Sequence, residues 1–318
     1  MHFNPIAEPR HEISTFLEDA QNDDKQFIGE KIFPVYTSKR KSGEYPRIRI
    51  DKGNLLKRRA TLRAPRSAYQ EVSRTTEKDS FRCRERGLEE LIDDVEASTY
   101  QEYFDAEVMA AKRIRCELMR DYECRVAEKV LDPNVFNSTN ATAPYQEATL
   151  GDIDFAKDIQ DAKLRMAKRG VMPNTLIISE ELVNRLRRST KFQTFLFGNL
   201  PNGEHRLVKH SDIAQIFGFE MVHIPYHHYD SAEVNQPINL TPCWSNDYIA
   251  LLDVQSGDFS AGGVGRTIVW DADTAGGLYT SESYRDEKHR GDRVRVRMHT
   301  DEKVINDLCG ELIRTDFS

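Results

Sequence analysis

From Thr99 to Leu131 an apolar residue recurs every three or four positions: Tyr100, Phe104, Val108, Ala111, Ile114, Leu118, Tyr122, Val126 and Val130. That period places them on one face of an α-helix. Ser98 or Thr99 is positioned to cap its start, with acidic residues in the first turn to complement the helix dipole. Asp132-Pro133 ends it, because the residue before a proline avoids helical geometry. At 1.5 Å per residue the helix is roughly 50 Å long, against an average of about 11–12 residues for helices in globular proteins. One apolar stripe with charged flanks reads as a spine rather than a coiled coil.

The stretch before it, Pro46 to Leu91, is the opposite. Strand-like ends, PRIRID and SFRCRE, enclose a middle with almost no large apolar residues. No core can be built from that middle. The two ends can pair as a two-stranded ribbon, but an isolated ribbon is marginal in water and needs a surface to lie on. Pro46 to Arg86 is rich in Arg and Lys, whereas Glu89 to Glu107 is strongly acidic. We take Arg58, Arg59, Arg63, Arg66 and Arg74 on the basic block, and Glu89, Glu90, Asp93 and Asp94 on the acidic one, as candidate interface residues between copies of the chain. Two solvated faces account for the charge alone equally well. The net charge of −7 over 318 residues argues against a general nucleic-acid-coating protein. Only Tyr69 and Phe81 offer stacking surfaces beside these arginines, fewer than single-strand binders interleave.

A Ser/Thr/Asn/Pro-rich loop follows the long helix, and then a compact α/β segment. Asp154 to Lys168 reads as an amphipathic helix stopped by Gly170. PNTLIIS is a buried strand, Ser179 caps the helix EELVNRLRR, and Ser211 caps SDIAQIFG, which Gly218 stops. FEMVHIP and DYIALLDV are further strands. At the end come a glycine-rich turn, AGGVGRTIVWD, and alternating strands at Val294-Val296-Met298 and Val304-Ile305, with a Gly310 turn into Leu312-Ile313.

No constellation assigns catalysis, a cofactor or a metal. Gly262, Gly263 and Gly265 do not form a dinucleotide fingerprint, and no phosphate-loop lysine follows them. His223 and His227 have metal-like spacing only on a helix, and Pro225 breaks one. Cys116 and Cys124 read as core thiols. Asp152 and Asp154 suit helix capping, and Asp271 and Asp273 a turn. Five cysteines without a CxxC pair, and no secretory signal at the start, predict a reducing intracellular setting with free thiols. No apolar run approaches the ~20 residues of a membrane span, so no membrane partner is expected.

Taken in order, FIGEKIFPVYTSKRKSGEYPRIRI, SFRCRERGLEELID, the Thr99–Leu131 helix, MPNTLIISEELVNRLRR, DIAQIFGFEMVHIP and DEKVINDLCGELIRT resemble the major capsid proteins of tailed phages with the HK97-type fold, in their lambda-type coat branch. The resemblance implies an α+β capsid fold: an N-arm over residues 1–45, an extended E-loop ribbon over 46–92, a peripheral domain with the spine helix over 93–134, an axial α/β domain over 135–255, and return strands of the peripheral domain over 256–318. It also implies a non-enzymatic subunit that self-assembles into hexamers and pentamers of an icosahedral shell. That shell would be built in the host cytoplasm and would enclose double-stranded DNA without sequence specificity. Portal, a separate scaffolding protein and decoration proteins are the implied partners, and an uncleaved chain is expected. The alternatives are an encapsulin-like cellular compartment and, third, a basic-loop nucleic-acid-binding enzyme.

Overall fold

The computed structural model describes residues 8–9, 27–47, 58, 61–63, 66, 68–69, 71, 77–95, 105–198, 209–233, 236–257, 259, 262–271 and 277–316. Among the described residues it contains a six-stranded and a five-stranded sheet, a long helix lying on the first, a separate two-stranded ribbon, and a short hairpin of β9 (His228–Asp230) and β10 (Leu240–Pro242).

The larger sheet has six strands and is built around β14, Gly291–Val304, the longest strand among the described residues. The two alternating segments expected there are one continuous strand. Its even-numbered residues Val294, Val296 and Met298 are fully buried, while Arg293, Arg295 and Arg297 face the other way. Antiparallel neighbours flank it: β5, Arg84–Asp93, pairs along Gly291–Thr300; β13, Thr280–Asp286, along Gly291–Arg297; and β12, Gly265–Trp270, at the far end. Two short strands, β1 (Glu8–Pro9) on β13 and β2 (Val35–Ser38) on β12, complete the sheet.

Within the stretch assigned to an N-arm, residues 27–38 lie against the body of the protein. Phe27, Ile28, Ile32 and Phe33 are buried around a short helix α1, Gly29–Ile32, and β2 runs parallel to β12. Burying four such side chains contributes about 1.5–3 kcal/mol each, which holds this segment on the body of the protein.

The spine helix α2 runs from Ala106 to Val130 and packs on β14 and β5. Ala111, Ile114, Leu118, Tyr122, Val126 and Val130 are buried, as the period predicts. Its start is corrected. Asp105, with extended backbone, accepts hydrogen bonds from the Glu107 and Val108 amides, so it is the cap in place of Ser98 or Thr99. The helix is thereby about 37 Å long. Residues 96–104 lie outside the described residues.

The second sheet has five strands in the order β6 (Asn137–Asn140), β15 (Gly310–Arg314), β11 (Tyr248–Leu252), β7 (Thr175–Ile177) and β8 (Met221–His223). Helices α3 (Phe155–Lys168), α4 (Glu180–Arg188), α5 (Thr190–Phe197) and α6 (His210–Phe217) supply its second core, with Phe155, Ile159, Met166, Leu182, Leu186 and Phe217 buried together. Asp154 and Ser179 cap α3 and α4 as expected. The cap of α6 does not follow Ser211. The Asp212 carboxylate accepts from the Lys209 amide instead, and Gly218 ends the helix in the left-handed region at φ +65°.

Among the strands after residue 256, β12, β13 and β14 lie in the six-stranded sheet, whereas β15 sits inside the five-stranded one. The buried carboxylate of Glu311 explains the choice. It accepts from Arg165 Nε at 2.6 Å, from Arg169, and from Asn137 Nδ2 at 2.9 Å, all on elements of that sheet layer. Leu312 then joins the first core and Ile313 the second, so β15 stitches the two cores together.

Candidate assembly interface

The ribbon forms from β3, Ser42–Arg47, and β4, Glu77–Arg82, in an antiparallel register running from Ser42 opposite Arg82 to Arg47 opposite Glu77. It therefore begins four residues before the Pro46 edge read from sequence. Its base is not free. Tyr45, Phe81 and Cys83 are buried with Ile268 and Ile305, and Tyr36 and Phe259 pack against them. The Tyr45 hydroxyl donates to Asp79 at 3.0 Å and reaches the Val304 carbonyl at 3.3 Å. Arg47 Nη2 meets Asp307 at 2.9 Å. Apolar burial and a guanidinium–carboxylate pair thus fix the angle at which the ribbon leaves the body.

Beyond that base the character changes. Among the described residues between Arg47 and Glu77, every one is exposed: Arg58, Thr61, Leu62, Arg63, Arg66, Ala68, Tyr69 and Glu71. Leu62 is 97% and Tyr69 76% exposed, and the Arg63 guanidinium lies 4.5 Å from the Tyr69 ring centroid. Arg59 and Arg74 lie outside the described residues. Leu62 and Tyr69 beside arginines form the kind of aromatic, aliphatic and guanidinium surface that protein interfaces favour.

The acidic block is placed differently. Glu89, Glu90 and Asp94 meet arginines of their own chain. Glu89 pairs across strands with Arg293 at 3.0 Å and Arg295 at 2.8 Å, Glu90 pairs with Arg113 of the spine helix, and Asp94 takes Arg285 at 2.7 Å. Asp93 is exposed and accepts from the Val95 amide. The ladder continues along the outer face, where Asp286 meets Arg293 at 2.6 Å and Glu282 meets Arg297 at 3.1 Å. The Arg295 hydrogen bonds hold Glu89 below the usual carboxylate range, and the Arg293 bond takes Asp286 down to about 2.

Two buried polar centres gave no signal in the sequence. Glu123, fully buried on α2, accepts from the Ile28 and Gly29 amides and from Trp244 Nε1. Burial pushes its pKa up, against the pull of those donors. Arg266 is also fully buried, and it explains the glycine-rich turn: its guanidinium donates to the carbonyls of Gly257 at 3.0 Å, Gly265 at 2.7 Å and Gly262 at 2.8 Å. A turn that presents carbonyls holds a cation, whereas a phosphate loop presents amides. Gly263 has φ +86°, and a Cβ there would stand 2.9 Å from the Gln255 amide nitrogen, so both conformation and space require glycine.

The thiol expectation is corrected in part. Cys124 and Cys243 form a disulfide with Cα atoms 4.8 Å apart, while Cys83, Cys116 and Cys309 are free. The pairing spans 119 positions and only the fold brings it together. His223 and His227 are half-buried. The His227 ring stacks on Phe27 at 4.1 Å, and burial lowers the His223 pKa to about 4. Among the described residues no group of three His, Cys, Asp or Glu could hold a metal, and no helix is long and apolar enough to cross a membrane.

No protein-family model matches the chain, and no curated protein matches it. Solved structures do. A phage-related protein of Bordetella bronchiseptica RB50 superposes with a TM-score of 0.71 at 16% identity, covering 98% of both chains. The subunit of a virus-like particle from Pyrococcus furiosus gives 0.58 at 11% identity, over 96% of this chain and 98% of that one. The capsid of cyanophage P-SCSP1u gives 0.56 at 13% identity, over 92% and 89%.

Proposed function

We propose that this chain, which has the α+β fold of tailed-phage capsid proteins, is the major coat subunit of an icosahedral shell that encloses double-stranded DNA, and not an enzyme. The observation that carries the reading is the ribbon: its base is fixed by a buried cluster of its own chain, while the described residues beyond are all exposed and include Arg58, Arg63 and Arg66. A segment held rigidly at one end with no core of its own is suited to a surface that another subunit supplies. Arg58, Arg59, Arg63, Arg66 and Arg74 are proposed to dock there, steering and registering subunit contacts through charge. The acidic residues Glu89, Glu90, Asp93 and Asp94 are proposed to face a neighbour through whatever their intrachain arginines leave exposed. Repetition around a closed shell lets modest contacts per copy suffice. On this reading residues 46–92 are the arm, α2 and the six-stranded sheet form the peripheral body, and the five-stranded sheet with its helices forms the part that clusters around capsomer centres. Portal, scaffolding and decoration proteins would be its partners in the virion.

Electron microscopy of the purified protein tests the proposal. Shells or hexameric and pentameric capsomers are expected, and a monodisperse monomer under all assembly conditions would overturn it. Nuclease-protected DNA inside particles is expected; a protein cargo in its place would mark a cellular compartment.

A further inference from the structure

A cleft of about 460 Å³ is lined by the C-terminal half of α2, the junction of β4 and β5 and the end of β14. It lies at the root of the ribbon, apart from the residues assigned to subunit contact. Its wall carries six cations and three carboxylates, a net positive charge of three in a chain whose overall charge is −7.

The pairs within the cleft decide which charges remain available. Arg125 spans the buried carboxylate of Glu302 at 3.1 Å and also meets Asp121. Lys303 lies 3.5 Å from Asp301. Arg86 Nη1 donates to the Thr300 carbonyl at 3.3 Å, and its Nε stands 4.0 Å from the Asp121 carboxylate that Arg125 already uses. Arg82, Arg84 and Lys129 have no carboxylate within ion-pairing distance among the described residues, and Glu128 is the one acid of the wall left to oppose them.

Alternation along β5 puts Arg84 and Arg86 on the face turned toward α2, and Lys129 comes from the helix opposite. Burial and the nearby Arg125 charge make the ionised form of Arg86 less favourable than usual. Like charges gathered on the wall of one cleft are relieved by an anion with several oxygens, each able to accept from a different guanidinium.

We propose that this cleft is a phosphate-binding site, with Arg82, Arg84, Arg86 and Lys129 as the residues that touch the ligand. A phosphate group fits better than a carboxylate because the donors come from two β-strands and a facing helix. Two carboxylate oxygens cannot serve all of them, whereas phosphate presents three or more. The phosphate can belong to a nucleic-acid backbone or to a free phosphate species, and the shell reading need not hold for the site to exist.

Titration calorimetry of the full chain with sodium pyrophosphate, beside anisotropy of a short labelled DNA duplex, tests this. Pyrophosphate binding should weaken about tenfold in Arg84→Gln and about a hundredfold in the Arg82→Gln/Arg84→Gln double variant, the scale of charge-assisted hydrogen bonds. Arg82 and Arg84 are exposed, so melting temperatures should stay near that of the parent. Glu128→Gln should tighten binding severalfold, a gain that damaged folding cannot produce. Parallel loss of duplex binding supports the site with a phosphodiester as its source, and duplex binding that persists supports it with free phosphate. Three results would overturn the proposal: no pyrophosphate binding by the parent chain, equal binding by parent and variants, or tighter binding of citrate than of pyrophosphate at matched ionic strength. None of them bears on whether particles assemble, which microscopy reads separately.

Discussion

Trp244 Nε1 donates to the Glu123 carboxylate at 2.7 Å, and a residue adjacent to each, Cys243 before Trp244 and Cys124 after Glu123, joins the same two segments through a disulfide. The spine helix is thereby tied to the loop that leads into β11, beside the core that holds Tyr122, Val126 and Trp244. The same carboxylate holds the Ile28 and Gly29 amides at the start of α1.

Removing that carboxylate leaves three buried donors without an acceptor. Glu123→Ala should destabilise the subunit by about 3–5 kcal/mol, and Glu123→Gln, which keeps one oxygen, by less. The pH dependence has a definite sign. Burial raises the Glu123 pKa above its unfolded value, so the native state holds the proton more tightly. Its contribution to stability is therefore fully present below the usual glutamate range and is lost as pH rises through the folded value. Melting curves from about pH 4 to pH 8 should show Glu123→Gln gaining on the parent chain as pH increases; a difference that stays flat would contradict this.

Opening the disulfide acts mainly through the unfolded chain. Cys124→Ala/Cys243→Ala should lower stability by about 2–4 kcal/mol, given a closed loop of more than a hundred residues. A dithiothreitol titration of the parent protein, followed by denaturant melts, should reproduce the effect. The double variant should show no response to the reductant beyond that of its remaining thiols.

The outer-face ladder has the opposite pH sign to Glu123. Arginine hydrogen bonds lower Glu89 and Asp286, so their stabilisation is present above the unfolded carboxylate range and fades as pH falls through the folded values, to about 2 for Asp286. Because Glu89 is largely exposed, Glu89→Gln should cost no more than about 0.5–1 kcal/mol after solvent screening. Urea melts at low and high salt should show that cost shrinking as salt rises.

Charge reversal on the ribbon separates folding from assembly. The triple variant Arg58→Glu/Arg59→Glu/Arg63→Glu should change subunit stability by no more than about 0.5 kcal/mol per site. It should abolish particles in sedimentation and microscopy. If the variant subunits unfold instead, the ribbon is part of a core and the arm reading is wrong.

The spine helix shows where sequence reading succeeds and where it stops. Ile114, Leu118, Tyr122, Val126 and Val130 repeat at helical spacing, and burial of that stripe follows from geometry alone. The same period runs back through Phe104 and Tyr100, so it cannot locate the start. Asp105 decides that by accepting from two amides, a local competition to which periodicity is blind. The ribbon was legible for a related reason: a stretch without large apolar residues cannot enter a core, whatever surrounds it.

Partnership was not legible. The acidic run Glu89 to Asp94 reads the same whether its counter-charges lie in solvent, on a neighbour or in the same chain. Arg293 and Arg295, some two hundred positions downstream, reach Glu89 because β5 pairs with β14. Glu123 and Arg266 carry no signal in the sequence, since the amide and indole partners of the one and the carbonyl partners of the other are fixed only by the fold. Sequence by itself determined the period of the spine helix, the caps at Asp154 and Ser179 and which stretch cannot build a core, because propensity, capping and period act over a few residues. Tertiary structure alone decided which sheet takes β15, which cysteines join and which charges are neutralised, because a buried group draws its partner from whatever packing brings within about 3 Å, at any distance along the chain.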